Sequence, residues 1–304
     1  MNEPRPRFVA LRLAAKAVTP PIVWSALKRA KDGAPRPTEP PPEPPSAPVA
    51  PPEWEYVPEG WARTAGGWDV EAIAEVYRAK WLSFLAAVAG PGPLGVNHEG
   101  QLGVPVARDD RDAQQMVLAF GYVLERAARG KTRLSLLDWG GGPGHYAVLA
   151  RALAPDVELE YHSRDVPALA ALGRELLPGD AFHVENDCLD CSYDLIVASS
   201  SLQYMENWQE TVAQLAAATE GYLYVTRVPI ALHASSFVVL QRAQAYGYET
   251  EYLGWVLNRD ELVETARAAG LELVREFLLP AWLSAEGAPE SPIEHRGFLF
   301  APVA

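Results

Sequence analysis

Residues 134–145 read Leu-Ser-Leu-Leu-Asp-Trp-Gly-Gly-Gly-Pro-Gly-His, the stretch that most restricts what this chain can fold into. A short apolar run ends in Asp138, then Gly140, Gly142 and Gly144 alternate, and a helical pattern opens at His145. An apolar run closed by glycines predicts a buried parallel strand entering a tight turn. Glycine has no Cβ, so such a turn lets a ligand touch main chain, and the following helix aims its first N–H groups at a carboxylate or phosphate. A dinucleotide fingerprint, Gly-x-Gly-x-x-Gly, would place its third glycine on His145, where a side chain obstructs close helix–strand packing. The pattern is instead Asp-x-Gly-x-Gly-x-Gly. The competing reading is a glycine-rich connection that binds nothing.

After this turn the chain alternates short strands and helices. Strands are predicted at Leu134–Asp138, Val157–His162, Ala181–Val184, Leu195–Ser199 and Tyr222–Arg227, with helices at His145–Leu153, Val166–Leu176, Trp208–Ala218 and Arg259–Ala269. Two final strands, Leu271–Leu278 and Gly297–Ala301, close the chain. This order predicts an α/β fold, a mainly parallel sheet with helices on both faces. Upstream, Trp68–Val88 and Ala113–Arg129 carry apolar residues at helical spacing and predict an N-terminal helical cap. Between them a Gly/Pro-rich loop holds His98 and Glu99. The expected organisation is a basic segment over 1–32, a linker over 33–53, the cap over 54–130 and a ligand-binding domain over 131–304, with an insert at 229–258.

The net charge of −13 argues against nucleic acid as a partner, because phosphate binding needs a basic face. The charge is uneven: residues 1–32 hold seven Lys/Arg against Glu3 and Asp32. That segment is either an amphipathic element on an anionic membrane surface or a frayed terminus; Arg12, Lys16 and Pro20-Pro21 interrupt it too often for a bilayer span. Ten prolines within residues 35–52 predict a stiff, extended linker. Cys188 and Cys191 form a single C-x-x-C; a structural zinc site wants a second pair, so two reduced thiols are expected and no metal.

The Asp138–Gly144 motif resembles the first motif of class I S-adenosylmethionine-dependent methyltransferases, and Asp165-Val166-Pro167 resembles the Asp-Leu-Pro of small-molecule O-methyltransferases. The resemblance implies a Rossmann-like seven-stranded sheet ending in a hairpin, and S-adenosyl-L-methionine as cofactor. Asp138, Gly140, Gly142, Gly144 and His145 would then hold the methionine end, and Asp165, after the second strand, the ribose hydroxyls, since a carboxylate can accept both bonds. Asp165 also suits a helix N-cap. Asp187 would take the adenine amino group, with Asn186 or Asp190 reachable by a small slip in alignment, and Ser199 ends the fourth strand beside the site. Trp139, Tyr146 or Tyr204 could face the sulfonium.

A longer set of matches resembles a family of bacterial methyltransferases associated with O-antigen and polysaccharide gene clusters. It comprises Trp54-Glu55-Tyr56-Val57-Pro58, the glycine motif, Ser199-Ser200-Ser201-Leu202-Gln203-Tyr204 and Tyr252-Leu253-Gly254-Trp255-Val256-Leu257-Asn258-Arg259. It spans about residues 54–300 and implies methylation of a sugar hydroxyl in a glycan or nucleotide-sugar, in the cytoplasm or at the inner membrane face. A small natural product methylated on oxygen or nitrogen is the alternative substrate, and a non-catalytic binding scaffold the alternative role. The scaffold reading arises because Gln203 stands where related enzymes often carry a catalytic histidine, and an amide is no base. His233, after the fifth strand, His98 in the loop and Tyr204 are the remaining candidates for proton transfer. The aromatic insert, with Phe237, Tyr246, Tyr248, Tyr252 and Trp255, suits either a ring-shaped substrate or a homodimer contact.

Overall fold

The apolar run before the glycines is strand β2 (Arg133–Trp139), buried almost throughout after Arg133. It lies between β3 (Glu158–Arg164) and β5 (Tyr193–Ser199), parallel to both, which is why both its faces are apolar. The computed structural model describes residues 52–303 apart from 64, 69–70, 97–105 and 244–249. The segment 1–32, the linker up to residue 51, His98 with Glu99, and Tyr246 and Tyr248 lie outside the described residues.

Seven strands follow the expected plan. β4 (Ala181–His183), β3, β2, β5 and β6 (Thr219–Ala231) are parallel neighbours in that order; β10 (Ile293–Pro302) runs antiparallel beside β6 and pairs outward with β9 (Leu271–Leu283). Successive strand residues point to opposite faces. Leu134 and Leu136 therefore meet helices α1 (Glu71–Val88), α2 (Arg111–Ala128), α3 (His145–Leu153) and α4 (Pro167–Leu176). Leu137 and Trp139 meet the layer of α5 (Trp208–Ala217) and α6 (Arg259–Ala268). Local chemistry sets the helix starts. The Asp110 carboxylate accepts from the N–H of Asp112 and Ala113 to begin α2, and Asn258 does the same for Asp260 and Glu261 to begin α6. Pro167 occupies the first turn of α4, where its missing N–H costs nothing.

The sheet does not stop at seven strands. The insert supplies β7 (Phe237–Arg242) and β8 (Glu251–Asn258), which pair antiparallel, and β1 (Trp54–Tyr56) adds to the outer edge of β7. β8 joins the end of β6 in parallel at Ile230–Leu257 and Ala231–Asn258, giving ten strands among the described residues. Residues 54–56 thus extend the sheet, while α1 and α2 form the helical layer over the glycine turn. Several insert aromatics hold this extension in place. Phe237 packs edge-on to Tyr56, Tyr252 stacks on Trp68, and Trp255 donates its Nε1–H to Glu206 O at 3.1 Å. Cys188 is buried and Cys191 exposed, both as free thiols. Among the described residues no helix is long and apolar enough to cross a membrane.

Candidate active site

The glycine turn is built from backbone that other residues could not adopt cheaply. Gly140 has φ +73°, and a Cβ there would lie 2.4 Å from Ser201 Cβ. Gly142 has φ +57° with open space beside it, so its constraint is conformational and the vacant side faces the cavity. Two bonds fasten the turn to the end of β3: Gly140 N–H donates to Arg164 O at 2.8 Å, and Gly142 N–H donates to Asp165 Oδ2 at 2.7 Å. Gly144, at φ +97°, caps α3.

Asp138 lies beneath the turn rather than in its cavity. It is fully buried, accepts from Tyr161 Oη at 2.7 Å through Oδ2, and leaves Oδ1 without a hydrogen bond among the described residues. Burial raises its pKa; the Tyr161 bond opposes that and the Asp165 charge adds to it, leaving the carboxyl at about 7. A Cβ on Gly141 would strike this carboxylate at 2.4 Å, so the turn closes directly over it.

Above the turn lies a cavity of about 170 Å³. Of the residues expected there, Gly140, Gly142, His145, Asp165, Ser199 and Tyr204 all line it. The His145 ring is held among Tyr77, Trp81 and Phe84, with centroids 4.7–5.3 Å away, while Tyr146 Oη donates to Ser199 Oγ at 2.9 Å. Asp165 does not cap α4; that position is Val166, whose N–H donates to Asp165 Oδ1 at 2.7 Å. Each Asp165 oxygen accepts a backbone bond, and a carboxylate oxygen can accept more than one, so the group also suits a ligand hydroxyl. α1 and α2 close the cavity from above through Tyr77, Ala113, Met116 and Val117.

Two of the expected residues stand outside this cavity. Asp187 does not line this cavity: its exposed carboxylate sits 3.4 Å from His183 Nδ1, because the short helical turn after β4 carries it outward. Its neighbour Asn186 accepts from Arg164 Nε at 3.0 Å, and Arg164 lines the cavity while lying 4.7 Å over the Trp139 ring. That Trp139 face is taken by Arg164. His233 is exposed and lines neither this cavity nor its neighbour; its N–H, with those of Leu232 and Ala234, is gripped by the Glu290 carboxylate, which fixes the loop away from the site.

A second cavity, of about 430 Å³, shares Ser200, Tyr204 and Arg227 with the first. Tyr204 Oη donates to Gln241 Oε1 at 2.9 Å. Gln203 is 3% exposed; its Nε2 donates to Ser200 Oγ at 3.1 Å, and its Oε1 has no partner among the described residues. Arg227, Gln241 and His295 also line this space, and sequence reasoning missed all three. No local motif surrounds them: Gln241 comes from the insert and His295 from the final strand.

Residues 111–276 match the family model described as "Methyltransferase domain", and the chain belongs to that family. It is similar to an O-methyltransferase of a trans-AT PKS multienzyme from Brevibacillus brevis, solved with S-adenosyl-L-homocysteine (14% identity, 64% of this chain and 73% of that chain, TM-score 0.46). It is also similar to the CcbJ methyltransferase of Streptomyces caelestis (17% identity, 77% of this chain and 97% of that chain, TM-score 0.44). A third likeness is to the 1,6-didemethyltoxoflavin-N1-methyltransferase of Burkholderia thailandensis (15% identity, 82% of this chain and all of that chain, TM-score 0.44). No curated protein matches the chain.

Proposed function

We propose that this chain transfers the methyl group of S-adenosyl-L-methionine to a hydroxyl of a sugar, in a glycan or a nucleotide-sugar. The observation that carries the reading is the pair of joined cavities, one over the glycine turn and one reached past Ser200, Tyr204 and Arg227. The lining of the first suits the donor. The open side of Gly142 and the start of α3 suit the methionine end, and Asp165 suits the ribose. Tyr146 stands with Ser199 at the wall where a sulfonium would lie. The bound donor supplies an electrophilic methyl carbon; the protein's task is to hold an acceptor oxygen in line with it and exclude water.

The second cavity suits a polar ring. It combines Gln203, Gln241 and the Tyr204 hydroxyl with the rings of Trp54, Trp68, Tyr252 and Trp282, a mixture that covers an apolar face and bonds its edge. Its size lies within the roughly 300–1,000 Å³ of small-molecule sites. In this arrangement α1 and α2 act as a cap over the donor, and Tyr204 positions Gln241 rather than moving a proton.

Calorimetry with S-adenosylmethionine and S-adenosylhomocysteine tests the donor: both are expected to bind, and no heat from either overturns the reading. Transfer of labelled methyl to nucleotide-sugars and glycan fractions, compared with a small-metabolite pool, tests the acceptor. Label confined to small metabolites would replace the sugar with a natural product, and binding without transfer would make the chain a scaffold.

A further inference from the structure

We propose that His295 is the general base of the methyl transfer and that Gln203 positions the acceptor, so that the acceptor presents two hydroxyls on one ring. This deepens the function proposed above and rests on it. Two irregularities of the sheet meet at this point. Between Arg296–Val228 and Phe298–Val225, β6 carries one residue more than β10, and Arg227 takes up φ +56° there. Between Glu294–Trp282 and His295–Leu279, β9 carries two more residues than β10, Pro280 and Ala281. Bulges re-aim side chains and are frequent beside active sites. Here they bring Arg227 and His295 to the wall of one cavity, and Arg227 belongs to the donor cavity as well.

The bulge on β9 also orients the imidazole. Ala281 O lies 3.3 Å from His295 Nδ1, which makes Nδ1 the donor and leaves the lone pair on Nε2. Nε2 has no hydrogen bond among the described residues, and the ring lines the second cavity. Burial, then the Arg227 guanidinium, holds the pKa of His295 down at about 4, so the ring is neutral at physiological pH. Arg227 faces it from β6; Glu53 and Asp112 line the same cavity from before β1 and from α2, and β9 faces it with Leu279 and the Ala281 carbonyl.

A weak base suffices for this reaction. As the hydroxyl oxygen bonds to the methyl carbon, the carbon–sulfur bond breaks and its electron pair stays on sulfur. The oxygen then carries both methyl and hydrogen, and a protonated ether is a far stronger acid than imidazolium. The proton passes to His295 Nε2, positive charge moves from sulfur to the imidazolium, and burial beside Arg227 drives that proton on to water. Gln203 supplies the second contact: its buried, unpartnered Oε1 wants an O–H or N–H donor, and Ser200 Oγ fixes the amide from the other side.

Labelling with diethyl pyrocarbonate, which acylates unprotonated imidazole, tests this on the full chain loaded with S-adenosylhomocysteine. Mass spectrometry reads His295. Its rate is expected to change less than about two-fold between pH 5.5 and 7.5, while N-acetylhistidine, with a pKa of about 6.5, slows roughly ten-fold at the lower pH. At pH 7.5 myo-inositol should slow labelling of His295 several-fold, and cyclohexanol, a similar ring with one hydroxyl, should not. Gln203→Ala should remove the protection while S-adenosylhomocysteine affinity stays within two-fold. An unreactive His295, a ten-fold loss of rate at pH 5.5, or equal protection by both rings or by neither overturns the proposal. Failure to bind S-adenosylhomocysteine overturns the functional reading instead.

Discussion

Asp165 holds Gly142: its Oδ2 takes the Gly142 N–H at 2.7 Å, so the carboxylate at the end of β3 fastens the turn that ends β2. One residue therefore shapes the floor of the donor cavity and lines it. Asp165→Ala leaves that N–H without its charged partner and removes the acceptor offered to a ribose. A bond to a charged group is worth about 1.5–3 kcal/mol, so S-adenosylhomocysteine affinity should fall about ten- to a hundred-fold. Asp165→Asn keeps one acceptor oxygen and should lose less. Calorimetric affinities of the two variants equal to the parent would remove Asp165 from the donor site.

A second relationship is steric. Gly140 and Ser201 stand so close that a Cβ on the glycine would lie 2.4 Å from Ser201 Cβ, and the glycine's φ is +73°. Gly140→Ala should cost about 2–4 kcal/mol, from the left-handed backbone and the clash together. Ser201→Gly in that background relieves only the clash, and it gives up the bond from Ser201 Oγ to Trp139 O. Urea denaturation of the four proteins in the cycle should give a favourable coupling of about 1–2 kcal/mol. Strict additivity would show that the turn moves aside.

These two contacts also show how much could be read from the chain. The strand–glycine–helix unit was legible because its signals are local: an apolar run, glycines at alternate positions, and a helix beginning at His145. Asp165 was legible by topology, since the end of a neighbouring parallel strand must come beside the turn. The β1–β7–β8 extension was not, because a run such as Phe237–Leu240 is continuous apolar sequence with no period to distinguish strand from buried helix. His295 was hidden for another reason. Its nearness to Arg227 comes from β10 running between β6 and β9, and its orientation from extra residues in β9, neither of which leaves a mark near position 295.

The Tyr146–Ser199 bond joins the first turn of α3 to the end of β5 across the donor cavity. Tyr146→Phe keeps the ring, which packs edge-on to Phe120, and deletes only the hydroxyl. Stability should fall by about 1 kcal/mol, the net value of one such bond. S-adenosylhomocysteine affinity should drop only a few-fold, because the aromatic face remains. A loss as large as that of Asp165→Ala would mean the hydroxyl itself touches the donor.

Asp138 makes the fold sensitive to pH in a direction opposite to that of most carboxylates. Its folded pKa, about 7, lies above the ordinary aspartate value of 3.8, with burial the main cause. Between those values the folded chain keeps a proton that the unfolded chain releases, so stability must fall as pH rises. The contribution is fully present below about pH 4 and gone above about pH 7, and from pH 5 to pH 8 it amounts to about 2–3 kcal/mol. Asp138→Asn can still accept from Tyr161 Oη but cannot ionise. Urea denaturation of parent and variant at both pH values should show the variant gaining about that amount relative to the parent at pH 8. A stability difference unchanged between pH 5 and pH 8 would mean that Asp138 is already ionised at pH 5, held so by a partner stronger than the Tyr161 hydroxyl.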